Sequence, residues 1–149
     1  MPRRQFLIAP LLVAALAGCG GQLDVDEYPT EPGTDLDCKA LIADVPPRVA
    51  GHDSRIVTDR VAAAWGDPEI ILRCGVEKPD DLVSSSQCFD VRGVGWFAET
   101  TADGYLFTTI GRTFYVSLEV PNAYDPAADA LADVATSVKK HDPEQQPCV

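Results

Sequence analysis

Apolar and polar residues alternate most clearly between Val94 and Val120. Asp103-Gly104 is a two-residue hairpin signal, and Gly111-Arg112 suits a turn with glycine in its first central place. Pairing outward from both turns gathers Val94, Trp96, Ala98, Tyr105, Phe107, Phe114, Val116 and Leu118 on one face. Glu99, Thr101, Leu106, Thr108, Tyr115, Ser117 and Glu119 fall on the other. Upstream, Val61–Trp65 and Ile70–Cys74 flank the turn Gly66-Asp67-Pro68-Glu69 and read as two more strands. Downstream the period changes. Ala127, Leu131, Val134, Ala135 and Val138 form one helical stripe, with Asp125 as the expected N-cap and Pro126 in the first turn. Lys139, Lys140 and His141 suit the negative C-terminal end of that helix, and Pro143 stops it. A shorter helix is predicted over Cys38–Asp44, with Asp37 as N-cap and Pro46-Pro47 as stop. The predicted class is α+β: an antiparallel sheet, a meander over about residues 88–120, covered by a C-terminal helix and joined by a short N-terminal helix.

The pattern at the start of the chain is different. Arg3 and Arg4 precede the apolar run Phe6–Ala17, broken only by Pro10. Crossing a bilayer as a helix takes about 20 apolar residues, so this run is short for a span and reads as the core of an export signal. The string Arg3-Arg4-Gln5-Phe6-Leu7 partly resembles a twin-arginine signal, but the general secretory route is expected. Leu16-Ala17-Gly18-Cys19 resembles the lipobox of bacterial lipoproteins, in which the cysteine receives diacylglycerol and becomes the new N-terminus. Two acyl chains hold a protein stably where one does not. The expected organisation is a signal peptide over 1–18, a lipidated Cys19 with an acidic flexible tether to 37, and one extracytoplasmic domain over 38–149. The tether holds Asp24, Asp26, Glu27, Glu31, Asp35 and Asp37, with few apolar residues to offset the entropy of ordering.

Composition narrows the function classes. The chain has 149 residues, 46% hydrophobic, with 12 Lys+Arg against 23 Asp+Glu and a net charge of −11. That suits one folded domain and argues against nucleic acid as partner, since phosphate binding relies on Lys and Arg. With Cys19 assigned to lipid, Cys38, Cys74, Cys88 and Cys148 form an even set, as two disulfides outside the cytoplasm require. The expected pairing is Cys74–Cys88, closing a short loop, and Cys38–Cys148, clasping the ends of the domain. No paired-cysteine, HExxH or phosphate-loop spacing is present, so neither metal nor cofactor is predicted.

Candidate chemistry is sparse. His52 stands beside Asp53 and Ser54, but no nucleophile elbow accompanies them, and Ser84-Ser85-Ser86 reads as a loop. Arg73 and Arg112 are candidates for holding an anionic ligand through their planar guanidinium forks. The plainer reading pairs Arg73 with Asp67 or Glu69 and leaves Arg112 at the tip of a turn. Trp65, Trp96 and Phe97 suit an apolar groove, but Trp96 has core parity and Trp65 is expected in the core as well.

Trp65-Gly66-Asp67-Pro68, Leu72-Arg73-Cys74-Gly75-Val76, Gly93-Val94-Gly95-Trp96-Phe97 and Thr109-Ile110-Gly111-Arg112 occur in this order. With the lipobox and a late cysteine, the chain resembles a family of small lipoproteins or membrane-anchored proteins of actinobacteria, domain of unknown function 3515. The Arg-Cys-Gly triplet of that family is matched by Arg73, Cys74 and Gly75 over a resemblance spanning about residues 38–148. The resemblance implies an envelope location and no particular activity.

Three roles follow. The expected one is a non-catalytic interaction module held on the outer face of the cell membrane by diacylglyceryl on Cys19, with an envelope protein as partner. The alternative is a carrier of a small molecule or lipid, with a pocket between sheet and C-terminal helix. An enzyme comes third.

Overall fold

The alternation between Val94 and Val120 becomes the centre of an eight-stranded antiparallel sheet. The computed structural model describes residues 21–26 and 28–148. In chain order these form α1 (Asp35–Ala43), β1 (Arg48–Val49), β2 (His52–Arg55), β3 (Ala62–Trp65), β4 (Ile70–Val76), β5 (Phe89–Val91), β6 (Val94–Thr100), β7 (Gly104–Ile110), β8 (Tyr115–Pro121), a 3-10 turn (Asn122–Tyr124) and α2 (Ala128–His141). The strand order is β1-β2-β3-β4-β8-β7-β6-β5. Phe107 pairs with both Ala98 and Leu118, so the two registers place the apolar positions on one face, as their alternation predicts. That face is closed by α2, whose Leu131, Val134, Ala135 and Val138 are buried against it. Each fully buried Leu or Val contributes about 1.5–3 kcal/mol relative to its exposed state.

Local details depart from the sequence expectation where backbone neighbours override turn chemistry. Asp103-Gly104 is not the centre of a two-residue turn: β6 ends at Thr100, and Gly104 already pairs with Pro121. A Cβ at position 104 would collide with the Val120 carbonyl, so the glycine serves the close approach of β7 to β8. Helix α2 begins at Ala128, after the 3-10 turn, and Asp125 does not cap it. Asp37 likewise lies inside α1, which Thr34 precedes without a side-chain cap.

The expected flexible spacer over 19–37 is not what the described part of that segment forms. Leu23 bridges Val57 in parallel, with its amide on the Ile56 carbonyl and its carbonyl accepting from Thr58. Val25 is buried. Thr30 bridges Val76, flanked by hydrogen bonds from Glu31 to Gly75 and from Glu77 to Pro29, and Asp35 then opens α1. The segment is held by backbone bonds to the chain just after β2 and to the end of β4, which its acidic composition does not disclose.

Disulfide pairing also differs. Cys38 joins Cys74 and Cys88 joins Cys148, with Cα separations of 5.3 and 5.6 Å. The expected Cys74–Cys88 bridge is excluded by topology: β8, β7 and β6 lie between β4 and β5, placing those strands about 19 Å apart at the usual inter-strand spacing. Cys38, on α1, instead faces Cys74 at a bulge of β4. There Gly75 has φ +72°, and a Cβ would collide with Thr34 Oγ1 and crowd Cys38 Sγ. Non-reducing peptide mapping is therefore expected to give Cys38–Cys74 and Cys88–Cys148. The double substitution Cys38→Ser/Cys74→Ser should lower the unfolding free energy by about 2–4 kcal/mol in denaturant titration; an unchanged midpoint would contradict this pairing.

Candidate functional site

The two faces of the sheet are built differently. On the α2 side, Trp65, Trp96, Ile70, Leu72, Leu118 and Val134 are all fully buried. They fill the space where a carrier's pocket is expected, and Trp65 donates Nε1–H to the Pro46 carbonyl at 2.9 Å, so it lines no binding cavity. The alternative pocket between sheet and helix is thus replaced by packed core.

The opposite face carries a polar row. Cross-strand pairing aligns Ala62, Arg73, Ser117, Thr108 and Phe97 from β3 to β6. Arg73, Thr108 and Ser117 are buried. Arg73 Nη1 reaches Glu119 Oε2 at 3.1 Å, not Asp67 or Glu69, and its guanidinium lies 5.2 Å from the centre of the Tyr28 ring. Glu69 pairs with Arg55 instead. Arg73 Nε and Ser117 Oγ are buried and lack partners among the described residues. The chain between β4 and β5 also reaches this side, where Leu82 lines one cleft with Ile110 and Tyr115. Burial, reinforced by the Asp81 charge, pushes the Glu99 carboxyl above its ordinary value.

Where that crossover meets the β7–β8 turn and the C-terminal tail, a cleft of about 650 Å³ opens. It is lined by Lys78, Leu82, Val83 and Ser84 of the crossover, by Ile110, Gly111, Arg112 and Tyr115 of β7, β8 and their turn, and by Gln145 and Gln146 of the tail. The tail is fixed there because the Gly111 carbonyl accepts from both Gln145 and Gln146 amides.

Arg112 does not sit at a free turn tip. Nη1 donates to the Asp142 carbonyl, and Nη2 donates to the Gly93 carbonyl at 2.7 Å. Beside it, Asp142 Oδ1 accepts from the Thr113 amide at 2.9 Å, with a longer contact to the Phe114 amide, while the buried Oδ2 has no partner among the described residues. Burial outweighs the amide bonds and the nearby Arg112 charge, pushing the Asp142 carboxyl up to about 6. Nothing in the string His141-Asp142-Pro143 marks this residue as buried, because the partners of its carboxyl come from the β7–β8 connection.

The remaining sequence candidates fall as follows. Cys19 and the signal segment lie outside the described residues. Cys38, Cys74, Cys88 and Cys148 are all bridged. Arg73 and Arg112 do not converge on the large cleft, which Arg112 lines without Arg73. His52 packs against the Tyr124 ring at 4.5 Å and Asp53 pairs with Arg48. Among the described residues there is no group of His, Cys, Asp and Glu suited to a metal ion. Lys78, Tyr115, Gln145 and Gln146 are cleft residues that sequence reading misses, since they come from three separated segments without a shared motif.

The model of one protein family, described as Protein of unknown function (DUF3515), matches residues 6–147. No curated protein and no solved structure is matched.

The raised Asp142 carboxyl fixes the sign of a pH effect. Between the ordinary carboxylate value and about 6, the folded state holds a proton that the unfolded state has released, so stability falls as pH rises through that window and levels off above it. This group is expected to contribute a decline on the order of 2–3 kcal/mol between about pH 4 and 6.5. Denaturation of Asp142→Asn across the same range should show that decline removed; an unchanged pH profile would refute the assignment.

Proposed function

The chain belongs to the DUF3515 family of proteins of unknown function, and we propose that it is a lipid-anchored cell-envelope protein with a non-catalytic interaction domain. The anchor rests on Leu16-Ala17-Gly18-Cys19 after the apolar run Phe6–Ala17. Attachment through diacylglyceryl on Cys19 is the route proposed; among the described residues no helix is long and apolar enough to cross a membrane. Two disulfides closing the core and the C-terminal tail support an oxidising, extracytoplasmic setting.

The observation that carries the interaction reading is the contrast between the two sides of the sheet. The α2 side is packed solid, while the other side presents an open cleft among exposed loop and tail residues. Recognition on that side needs no catalytic group, and His52 is packed against the Tyr124 ring.

Cys19→Ala tests the anchor. The variant is expected to leave the membrane fraction of the native host and to lack the mass of a diacylglyceryl group. Retention in the membrane with unchanged processing would overturn the proposal.

A further inference from the structure

We propose that the cleft between the β4–β5 crossover, the β7–β8 turn and the C-terminal tail binds a small amphipathic anion, a carboxylate or phosphate ester carrying a short apolar body. The inference stands apart from acylation of Cys19, since every residue it uses belongs to the folded domain.

Charge distribution is the first argument. The chain has 23 acids against 12 Lys and Arg, yet the walls of this cleft hold Lys78 and Arg112 and no carboxylate. An adjoining hollow of about 230 Å³ shares Leu82, Val83, Ser84, Ile110, Gly111 and Gln146 with it and adds no acid. Three other depressions on the domain each carry acids: Asp125 and Asp129 in one, Asp24 and Asp59 in another, and Glu69, Asp103 and Glu119 in the third. A concave site lined by one sign of charge focuses potential and raises the local concentration of the opposite ion. Here the focused sign is opposite to that of the molecule as a whole.

The two cations are arranged differently. Lys78 is exposed and has no ion pair among the described residues, which leaves its ammonium available to a ligand. Arg112 is held by the Gly93 and Asp142 carbonyls, and no carboxylate lies within 4 Å of its guanidinium nitrogens among the described residues. Its guanidinium is therefore held in place, with the Asp142 carboxyl near it but outside ion-pair distance, whereas Lys78 is tied to no partner among the described residues.

Size and lining supply the ligand class. About 650 Å³ falls within the range of small-molecule sites. The Ser84 and Tyr115 hydroxyls and the Gln146 side-chain amide are hydrogen-bonding groups suited to an oxyanion and its ester or hydroxyl neighbours, while the Gln145 side-chain amide donates to Thr113 Oγ1 and the Pro143 carbonyl and holds the wall in place. Leu82, Val83 and Ile110 continue from this cleft into the smaller hollow, giving an apolar body somewhere to lie once the charged end is held. A bare inorganic ion would leave that surface unused.

The test uses the purified chain, in buffer or in phosphatidylcholine nanodiscs, titrated with hexanoate and hexyl phosphate and followed by ligand-observed saturation-transfer NMR. Hexyltrimethylammonium and inorganic phosphate serve as counter-probes. Both amphipathic anions are expected to saturate at or below about 1 mM, with the cation and the bare phosphate at least tenfold weaker. Lys78→Glu should weaken anion binding at least tenfold while leaving the thermal midpoint unchanged, because Lys78 is exposed and unpaired. Ile110→Gln should weaken hexanoate and hexyl phosphate alike. Replacing phosphatidylcholine with phosphatidylglycerol separates the sources: competition marks a lipid headgroup as occupant, and unchanged affinity marks a free molecule. Absence of saturable anion binding, equal binding of the cation, or indifference to Lys78→Glu would each overturn the inference.

Discussion

Strand β4 carries the constraint on which the rest of the molecule depends, because three consecutive residues serve three neighbours. It is bonded along one side by β3 and along the other by β8, so neither edge can adjust independently. Arg73 points to the polar face, where Glu119 and Tyr28 receive it. Cys74 points to the opposite face and is bonded to α1. Gly75 then bulges the strand, and the missing side chain leaves room for Thr34 and Cys38. The Arg-Cys-Gly triplet is thus a junction between sheet, helix and N-terminal segment. A larger residue at position 75 would force Thr34 and Cys38 away and strain the backbone as well.

This junction explains which parts of the fold were legible beforehand. Alternation from Val94 to Val120 reports a property of each strand by itself, inward or outward, so the core face of the meander could be read from residue order. The α2 stripe is equally local. The disulfides are not, because pairing depends on strand order: loop length favours Cys74 with Cys88, whereas three strands stand between the elements that bear them. Trp65 shows the same division. Its burial follows from its neighbours on β3, while its bond to Pro46 requires knowing where the α1–β1 connection runs.

The candidate site was less legible for the same reason. Arg112 stands out in the sequence as a cation beside a turn glycine, but its partners Gly93 and Asp142 come from opposite directions along the chain. Asp142 looks like an ordinary helix-end acid until the Thr113 amide is placed against it. Lys78 and the two glutamines become neighbours only because the crossover and the tail pass the same turn. Such a site has no motif, since its composition is fixed by topology.

The bonded N-terminal segment changes what an acyl group at Cys19 would accomplish. Leu23 lies four residues beyond Cys19 and is already tied to Ile56 and Thr58, so the leash between them spans at most about 14 Å. A domain on so short a leash does not sweep a wide volume above the bilayer. An acyl group at Cys19 would instead pose it, with the edge near Ile56, a residue 72% exposed, toward the lipid and the opposite end of the sheet outward.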